Sequence, residues 1–151
     1  MSFDGNLKAF PSVREHYDAL VRAGEVDSDP AQLELTARYD RLIEEICTKR
    51  LSRKSSALGW LFGKRKEIAT VKGLYVHGEV GRGKTMLMDM FFQLLPVERK
   101  RRVHFNDFMA DAHERINAHR QALKRGDTKQ EDPIPPVAEA LAQQAWVLCF
   151  D

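Results

Sequence analysis

Eight consecutive residues combine three glycines with a lysine and a threonine at a fixed spacing. They are Gly78, Glu79, Val80, Gly81, Arg82, Gly83, Lys84 and Thr85, and they fit the pattern GxxxxGK[ST]. Glycines let the backbone turn so that successive N–H groups converge, and a helix that begins near Lys84 directs its positive dipole end at the same point. Phosphate oxygens bind well in such a place. We therefore interpret these residues as a nucleotide-phosphate site.

Two side chains of this phosphate loop have predicted roles. Lys84 is placed to reach the β and γ phosphates, and the Thr85 hydroxyl is placed to ligate an Mg2+ ion that bridges them. The pattern assigns no role to Arg82. The alternative is a glycine turn that binds no ligand, but an apolar run before the loop and an apolar helix after it favour the phosphate site.

A carboxylate ends the chain directly after an apolar run. Residues 146–150 are typical of a buried strand, and Asp151 follows them. In a parallel sheet, ligands collect at the carboxyl ends of the strands, so Asp151 is predicted to be the acid on the magnesium side of the site. A strand can also end in Asp simply to begin a turn.

The elements around these residues alternate between strands and helices. Apolar runs predict strands at residues 74–76, 103–105 and 146–150, and a helix that is apolar nearly all round at residues 86–95. Asn106 or Asp107 can cap a further helix, which ends before Gly126. Its predicted buried residues are Phe108, Ala112, Ile116 and Leu123. A short helix follows around Val137, Ala140 and Leu141. This order predicts an α/β fold with a parallel sheet.

Two amphipathic helices are predicted before the phosphate loop. Ser12 and Glu15 form a capping-box pattern for the first helix, and Gly24 closes it. Asp29 caps the second, Pro30 takes its first position, and apolar spacing carries it to about Leu51. We therefore predict a helical N-terminal extension over residues 1–66 and a phosphate-loop domain over residues 67–151.

Composition restricts the class of protein. The chain has 151 residues, of which 43% are hydrophobic, and a net charge of +2, which predicts a soluble protein with no strong attraction to polyanions. Basic clusters occur at residues 49–54, 64–66 and 99–102, and an apolar cluster at residues 58–62 either packs in the core or docks a partner or a membrane surface. His104, His113 and His119 lack a fourth ligand at metal-binding spacing.

Several segments together resemble the ZapE family of bacterial cell-division ATPases and their mitochondrial lactation-elevated relatives, which belong to the AAA+ class. The similarity lies in residues 73–75, the phosphate loop with residues 86–92, and residues 102–105, 108–109, 132–138 and 148–151. Residues 17–21 and 29–32 resemble the helical extension of the same family. The resemblance implies an AAA+ phosphate-loop NTPase core, incomplete in this chain, with Lys84 and Asp151 as catalytic residues.

The resemblance also implies an activity and a partner. The expected function is ATP binding and Mg2+-dependent hydrolysis that remodels a protein partner in bacterial cell division, in the cytoplasm, with homo-oligomers expected and membrane contact peripheral only. In this family a glutamate follows the position of Asp151, and a sensor residue and an arginine finger come later, so we expect an inactive N-terminal portion of a longer enzyme. The alternatives are an ATP-dependent nucleic-acid loader, a non-enzymatic partner-recruiting module and a small-molecule phosphotransferase.

Overall fold

A computed structural model of the protein describes residues 11–59 and 71–151, with backbone only for residues 50–59. The chain divides into two compact units, Met1–Pro96 and Val97–Asp151. The predicted domain boundary after residue 66 lies outside the described residues.

The first unit contains three helices, α1 (Val13–Arg22), α2 (Pro30–Gly59) and α3 (Lys84–Leu94). Ser12 caps α1, because its side chain accepts a hydrogen bond from the Glu15 N–H. Asp29 caps α2 in the same way, since its Oδ1 accepts a 2.8 Å hydrogen bond from the Ala31 N–H. Both predicted helix starts are confirmed. The predicted end of α2 near Leu51 was wrong, because residues 52–58 contain no glycine or proline and the helix continues to Gly59.

The three helices pack around one apolar core. Its buried members are Val13, Tyr17, Tyr39, Leu87, Met88, Met90, Phe91 and Leu95. The rings of Tyr39 on α2 and Phe91 on α3 stack with centroids 4.9 Å apart. The predicted apolar helix after the phosphate loop is therefore confirmed, and its methionines and phenylalanines are covered by α1 and α2.

Polar contacts, most of them part-buried, attach α1 to α2. The carboxylate of Asp40 accepts hydrogen bonds from the N–H groups of Val13 (2.7 Å) and Arg14 (3.1 Å), so an α2 side chain satisfies the first amides of α1. The hydroxyl of Tyr17 donates to the carbonyl of Asp27 and accepts a 3.0 Å hydrogen bond from the Asp29 N–H. The start of α2 is thereby held against α1.

The predicted strand at residues 74–76 was wrong. Within the described part of the chain these residues belong to no strand, and Tyr75 is 87% exposed. A strand satisfies its backbone groups only by pairing with another strand, and among the residues described here the strand pairing joins only two segments of the second unit. The apolar run therefore approaches the phosphate loop as extended chain.

The second unit is a single β-α-α-β arrangement. It contains β1 (Lys100–Val103), α4 (Phe105–Arg125), α5 (Ile134–Gln144) and β2 (Val147–Phe150). The two strands pair in parallel, with Lys100 opposite Val147 and Val103 opposite Phe150. The ring of Phe108 on α4 packs edge-on against Phe150 with centroids 4.8 Å apart. The α/β prediction is confirmed for this part of the chain as a small parallel sheet.

Two details of the second unit differ from prediction. The strand expected at residues 103–105 occupies Lys100–Val103, because the Phe105 N–H bonds to the Asp151 carbonyl and His104 then serves as the N-cap of α4. Phe108, Ala112, Ile116 and Leu123 are half-buried instead of buried. Among the described residues, the main packing partners of α4 are α5 and the Phe150 ring of β2. Gly126 ends α4 in the left-handed conformation, as predicted.

No helix among the described residues is both long enough and apolar enough to cross a membrane.

Candidate functional site

The backbone of the phosphate loop depends on glycines with positive φ. Gly81 has φ 83° and Gly83 has φ 72°, and Gly83 is the N-cap residue of α3. Side chains at these positions would be strained, because L-residues rarely adopt the left-handed region. The glycines of the pattern therefore have the turn-forming role that the sequence predicts.

The N-terminus of α3 presents its first amides without a side-chain cap. Gly83 has no side chain, and the first intrahelical hydrogen bond runs from the Leu87 N–H to the Gly83 carbonyl. The amides before Leu87 are left to a ligand or to solvent, and they carry the positive end of the helix dipole. This arrangement is suited to an anion such as phosphate.

The ammonium group of Lys84 lies over the loop. Its Nζ atom donates hydrogen bonds to the carbonyls of Gly78 (2.9 Å) and Glu79 (2.5 Å). Two neutral carbonyl acceptors thus hold the ammonium charge next to the loop. An anionic oxygen is a stronger acceptor and can take their place. The predicted contact of Lys84 with phosphate stays a prediction, and the structure shows the ammonium next to the loop carbonyls.

Other predicted loop residues lie at the surface. Glu79, Val80, Arg82 and Thr85 are exposed, and Val80 is 99% exposed. Thr85 is the second residue of α3, so its hydroxyl stands at the same helix end as the uncapped amides. A ligand can reach both the loop and this hydroxyl from solvent.

Two residues at the start of α2 contact the loop, and sequence reasoning missed them. Asp29 Oδ2 accepts a 2.7 Å hydrogen bond from Arg82 Nη2. Gln32 Nε2 donates a 3.0 Å hydrogen bond to the Arg82 carbonyl. These partners are separated from Arg82 by 53 and 50 residues, and no local pattern indicates such pairs. Arg82, which had no predicted role, joins the loop to α2.

A cavity of about 540 Å³ lies against the loop. It is bounded by the first turns of α2, by the extended chain at residues 74–79, and by Arg82 and Lys84. This volume lies in the range of small-molecule sites. The phosphate loop therefore has a neighbouring space large enough for the remainder of a nucleotide.

Asp151, predicted as the magnesium-side acid, lies in the second unit immediately after β2. Its Oδ2 accepts a 2.7 Å hydrogen bond from Arg102 Nη2, and its Oδ1 lies 2.9 Å from His104 Nδ1. The side chain is 16% exposed. The prediction that Asp151 ends a parallel strand is confirmed, whereas its two side-chain neighbours were not foreseen.

These residues suit the groups that the loop pattern implies. In the first unit, the uncapped helix end and Lys84 match a polyphosphate, and the Thr85 hydroxyl is a hard oxygen donor of the kind that Mg2+ prefers. The Asp151 carboxylate of the second unit is a donor of the same kind. Within the described ranges, three or more His, Cys, Asp or Glu side chains do not cluster as a metal cage.

Comparison with known proteins supports the same interpretation. A family model described as AFG1-like ATPase matches residues 11–151. The chain is 37% identical to the cell division protein ZapE of Escherichia coli K12 over 142 residues, which are 89% of this chain and 36% of that protein. It is 47% identical to the lactation elevated protein 1 homolog B of Danio rerio over 83 residues, which are 53% of this chain and 16% of that protein.

The chain spans about a third of the length of the Escherichia coli relative. No solved structure is significantly similar to it.

Proposed function

This chain belongs to the AFG1-like ATPase family, and from that premise we propose that its phosphate loop binds ATP with Mg2+ and that the whole protein hydrolyses it. One observation carries the proposal. The Lys84 ammonium lies over the loop carbonyls at the uncapped N-terminus of α3, so a positive side chain and a set of backbone donors face the same place.

Each residue of the proposed site has a distinct role. The loop from Gly78 to Gly83 orients backbone N–H groups toward phosphate oxygens, and Lys84 exchanges its carbonyl acceptors for the β and γ phosphates. Thr85 and Asp151 supply oxygen ligands for Mg2+. When bound, Mg2+ neutralises the charge of the phosphates and of the transition state.

The proposed partner of the whole protein is another protein. The Escherichia coli relative is named a cell division protein. By that similarity we propose that ATP hydrolysis remodels a division protein in the bacterial cytoplasm, and that the enzyme works as a homo-oligomer. The catalytic glutamate, sensor and arginine finger of the family are expected in the remainder of the protein.

The basic cluster at residues 99–102 weighs against a nucleic-acid partner. Arg99 donates to the Ala142 carbonyl, Arg101 to the Gln144 Oε1 and Arg102 to Asp151. Guanidinium groups that already bond to acceptors within the protein bind a nucleic-acid phosphate backbone less favourably than unbonded guanidinium groups do. We therefore keep a protein partner as the proposal.

The experiment compares full-length wild type with Lys84→Ala. Removing the ammonium is expected to weaken Mg-ATP binding by at least about tenfold and to abolish measurable phosphate release, because a charge-assisted contact to phosphate is lost. Lys72→Ala is the matched control, since Lys72 is an exposed lysine of the same unit and has no place in the loop. The proposal fails if the wild type binds no Mg-ATP, or if both variants bind it equally well.

A further inference from the structure

The start of α2 holds the phosphate loop through two contacts that the binding pattern does not include. We propose that Asp29 and Gln32 are positioning residues for nucleotide binding, acting through Arg82. The inference rests on the proposed function, because it concerns how the same loop is kept in its binding conformation. It gives the helical N-terminal extension a part in ATP binding.

The contact from Gln32 orients one peptide unit of the loop. Its Nε2 donates to the Arg82 carbonyl at 3.0 Å. A trans peptide is planar, so the carbonyl of Arg82 and the N–H of Gly83 point in opposite directions. Holding the carbonyl toward Gln32 therefore directs the Gly83 N–H away from α2. This N–H is one of the loop donors that the proposed function assigns to phosphate.

The contact from Asp29 fixes the side chain next to that peptide. Its Oδ2 binds Arg82 Nη2 at 2.7 Å, while its Oδ1 accepts the Ala31 N–H and caps α2. The Asp29 side chain is 22% exposed and the Arg82 side chain 57% exposed, so the carboxylate is partly sheltered whereas the guanidinium is open to solvent. One carboxylate thus connects the end of a helix dipole to the phosphate loop.

Asp29 is itself held from a second direction. Its N–H donates to the hydroxyl of Tyr17, which is fully buried between α1 and α2. A shift of Asp29 therefore disturbs a part-buried hydrogen bond to a side chain that is itself fully buried. Through Asp29, the exposed Arg82 is connected to a residue of the core.

The loop and α2 also approach closely. A Cβ atom placed on Gly83 would lie 2.8 Å from Gln32 Nε2. The glycine therefore allows Gln32 to reach the neighbouring carbonyl, in addition to allowing the positive φ. A side chain at position 83 would therefore displace the Gln32 amide from its contact with the loop.

The test measures Mg-ATP affinity of the full-length protein by titration with a hydrolysis-resistant ATP analogue. Asp29→Ser keeps a good N-cap for α2, since serine caps as well as aspartate, but its short side chain cannot reach Arg82. We expect its dissociation constant to rise by up to about fivefold, which is the upper end of what a largely exposed ion pair contributes to an equilibrium. Gln32→Met keeps a side chain of similar length but removes the amide donor, and it is expected to weaken Mg-ATP binding by about the same factor.

A double variant separates positioning from general destabilisation. If Asp29 acts through Arg82, the combined Asp29→Ser and Arg82→Gln variant binds no more weakly than the weaker binder of the two single variants. If the two single losses of affinity multiply in the double variant, the inference is overturned. Asp18→Ser is the control, because Asp18 forms a 3.0 Å pair with Arg14 in the same unit and does not touch the loop. Its affinity and that of wild type should agree within about twofold.

The outcomes also distinguish this inference from the proposed function. Wild type that binds Mg-ATP, together with an Asp29→Ser variant of equal affinity, overturns the positioning role alone. Wild type that binds no Mg-ATP overturns both. An unfolding midpoint for Asp29→Ser close to that of wild type, with weakened binding, supports the inference, because a purely structural role would lower the two together.

Discussion

Arg102 Nη2 donates a 2.7 Å hydrogen bond to Asp151 Oδ2, so a side chain of β1 contacts the carboxylate that directly follows β2. The same carboxylate lies 2.9 Å from His104 Nδ1. The proposed magnesium ligand is therefore oriented by two nitrogen atoms at the carboxyl ends of the paired strands. Partners of this kind fix a ligand's position and tune its affinity for a metal.

Asp151→Asn is expected to lower Mg2+-dependent ATP hydrolysis by the full-length protein at least about tenfold, because an amide is a poorer metal ligand than a carboxylate. ATP binding measured without Mg2+ should change little. Phosphate release at increasing Mg2+ concentrations provides the measurement. Arg102→Gln removes a partner of the carboxylate and keeps the carboxylate itself, so it should lower the activity less than Asp151→Asn does. An equal loss in both variants would argue for a structural role only.

Gly83→Ala tests the loop conformation against a matched glycine. Gly126 also has positive φ, but a Cβ there meets nothing within 4 Å, whereas one at Gly83 meets Gln32. Each substitution is expected to lower the free energy of unfolding by about 1–2 kcal/mol, the cost of a left-handed conformation for an L-residue. Only Gly83→Ala should also weaken Mg-ATP binding, by roughly tenfold or more.

Unfolding by denaturant and titration with Mg-ATP measure the two effects of the glycine variants. Equal affinity in Gly83→Ala and Gly126→Ala would show that the loop does not depend on the conformation of Gly83.

Phe91→Ala is expected to be strongly destabilising. Phe91 is 3% exposed and stacks on Tyr39, so its removal leaves a cavity between α2 and α3 that costs about 3–5 kcal/mol. Tyr75→Ala removes a ring that is 87% exposed and should change the free energy of unfolding by less than about 0.5 kcal/mol. Denaturant unfolding of both variants checks the packing. Similar losses in the two would contradict the described core.

His16 gives α1 a pH-dependent stability. Burial lowers the pKa of His16 below 6.5, because the charged imidazolium loses hydration in the folded protein. The unfolded chain then takes up a proton more readily, so stability is complete above pH 6.5 and falls as the pH decreases toward the folded-state pKa. His16→Gln removes this contribution.

The measurement for His16 is the difference in unfolding midpoint between about pH 7.5 and about pH 5.5. The decrease should be smaller in His16→Gln than in wild type. An equal or larger decrease in the variant would contradict the direction of the pKa shift.

Local signals in the sequence predicted most of the helices and the phosphate loop. Ser12, Asp29 with Pro30, and Gly126 mark helix ends because each satisfies backbone groups within a few residues of itself. The positive φ of Gly81 and Gly83 likewise agrees with the turn that the GxxxxGK[ST] spacing predicts. Such features depend on neighbours in sequence.

Features that depend on distant partners were not predictable from the sequence. Residues 74–76 have the composition of a strand, but a strand forms only where another strand pairs with it. The contacts of Arg82 with Asp29 and Gln32 join residues that are 50 or more positions apart. The neighbours of Asp151 are likewise distant in sequence: Arg102 belongs to β1, and His104 directly follows β1.

The parallel pairing of β1 with β2 occupies one side of each strand. The register sets Val103 opposite Phe150, so the residues that directly follow the two strands, His104 and Asp151, lie side by side at one end of the pair. Inserting one residue into either strand would shift this register and separate the Asp151 carboxylate from Arg102 and His104.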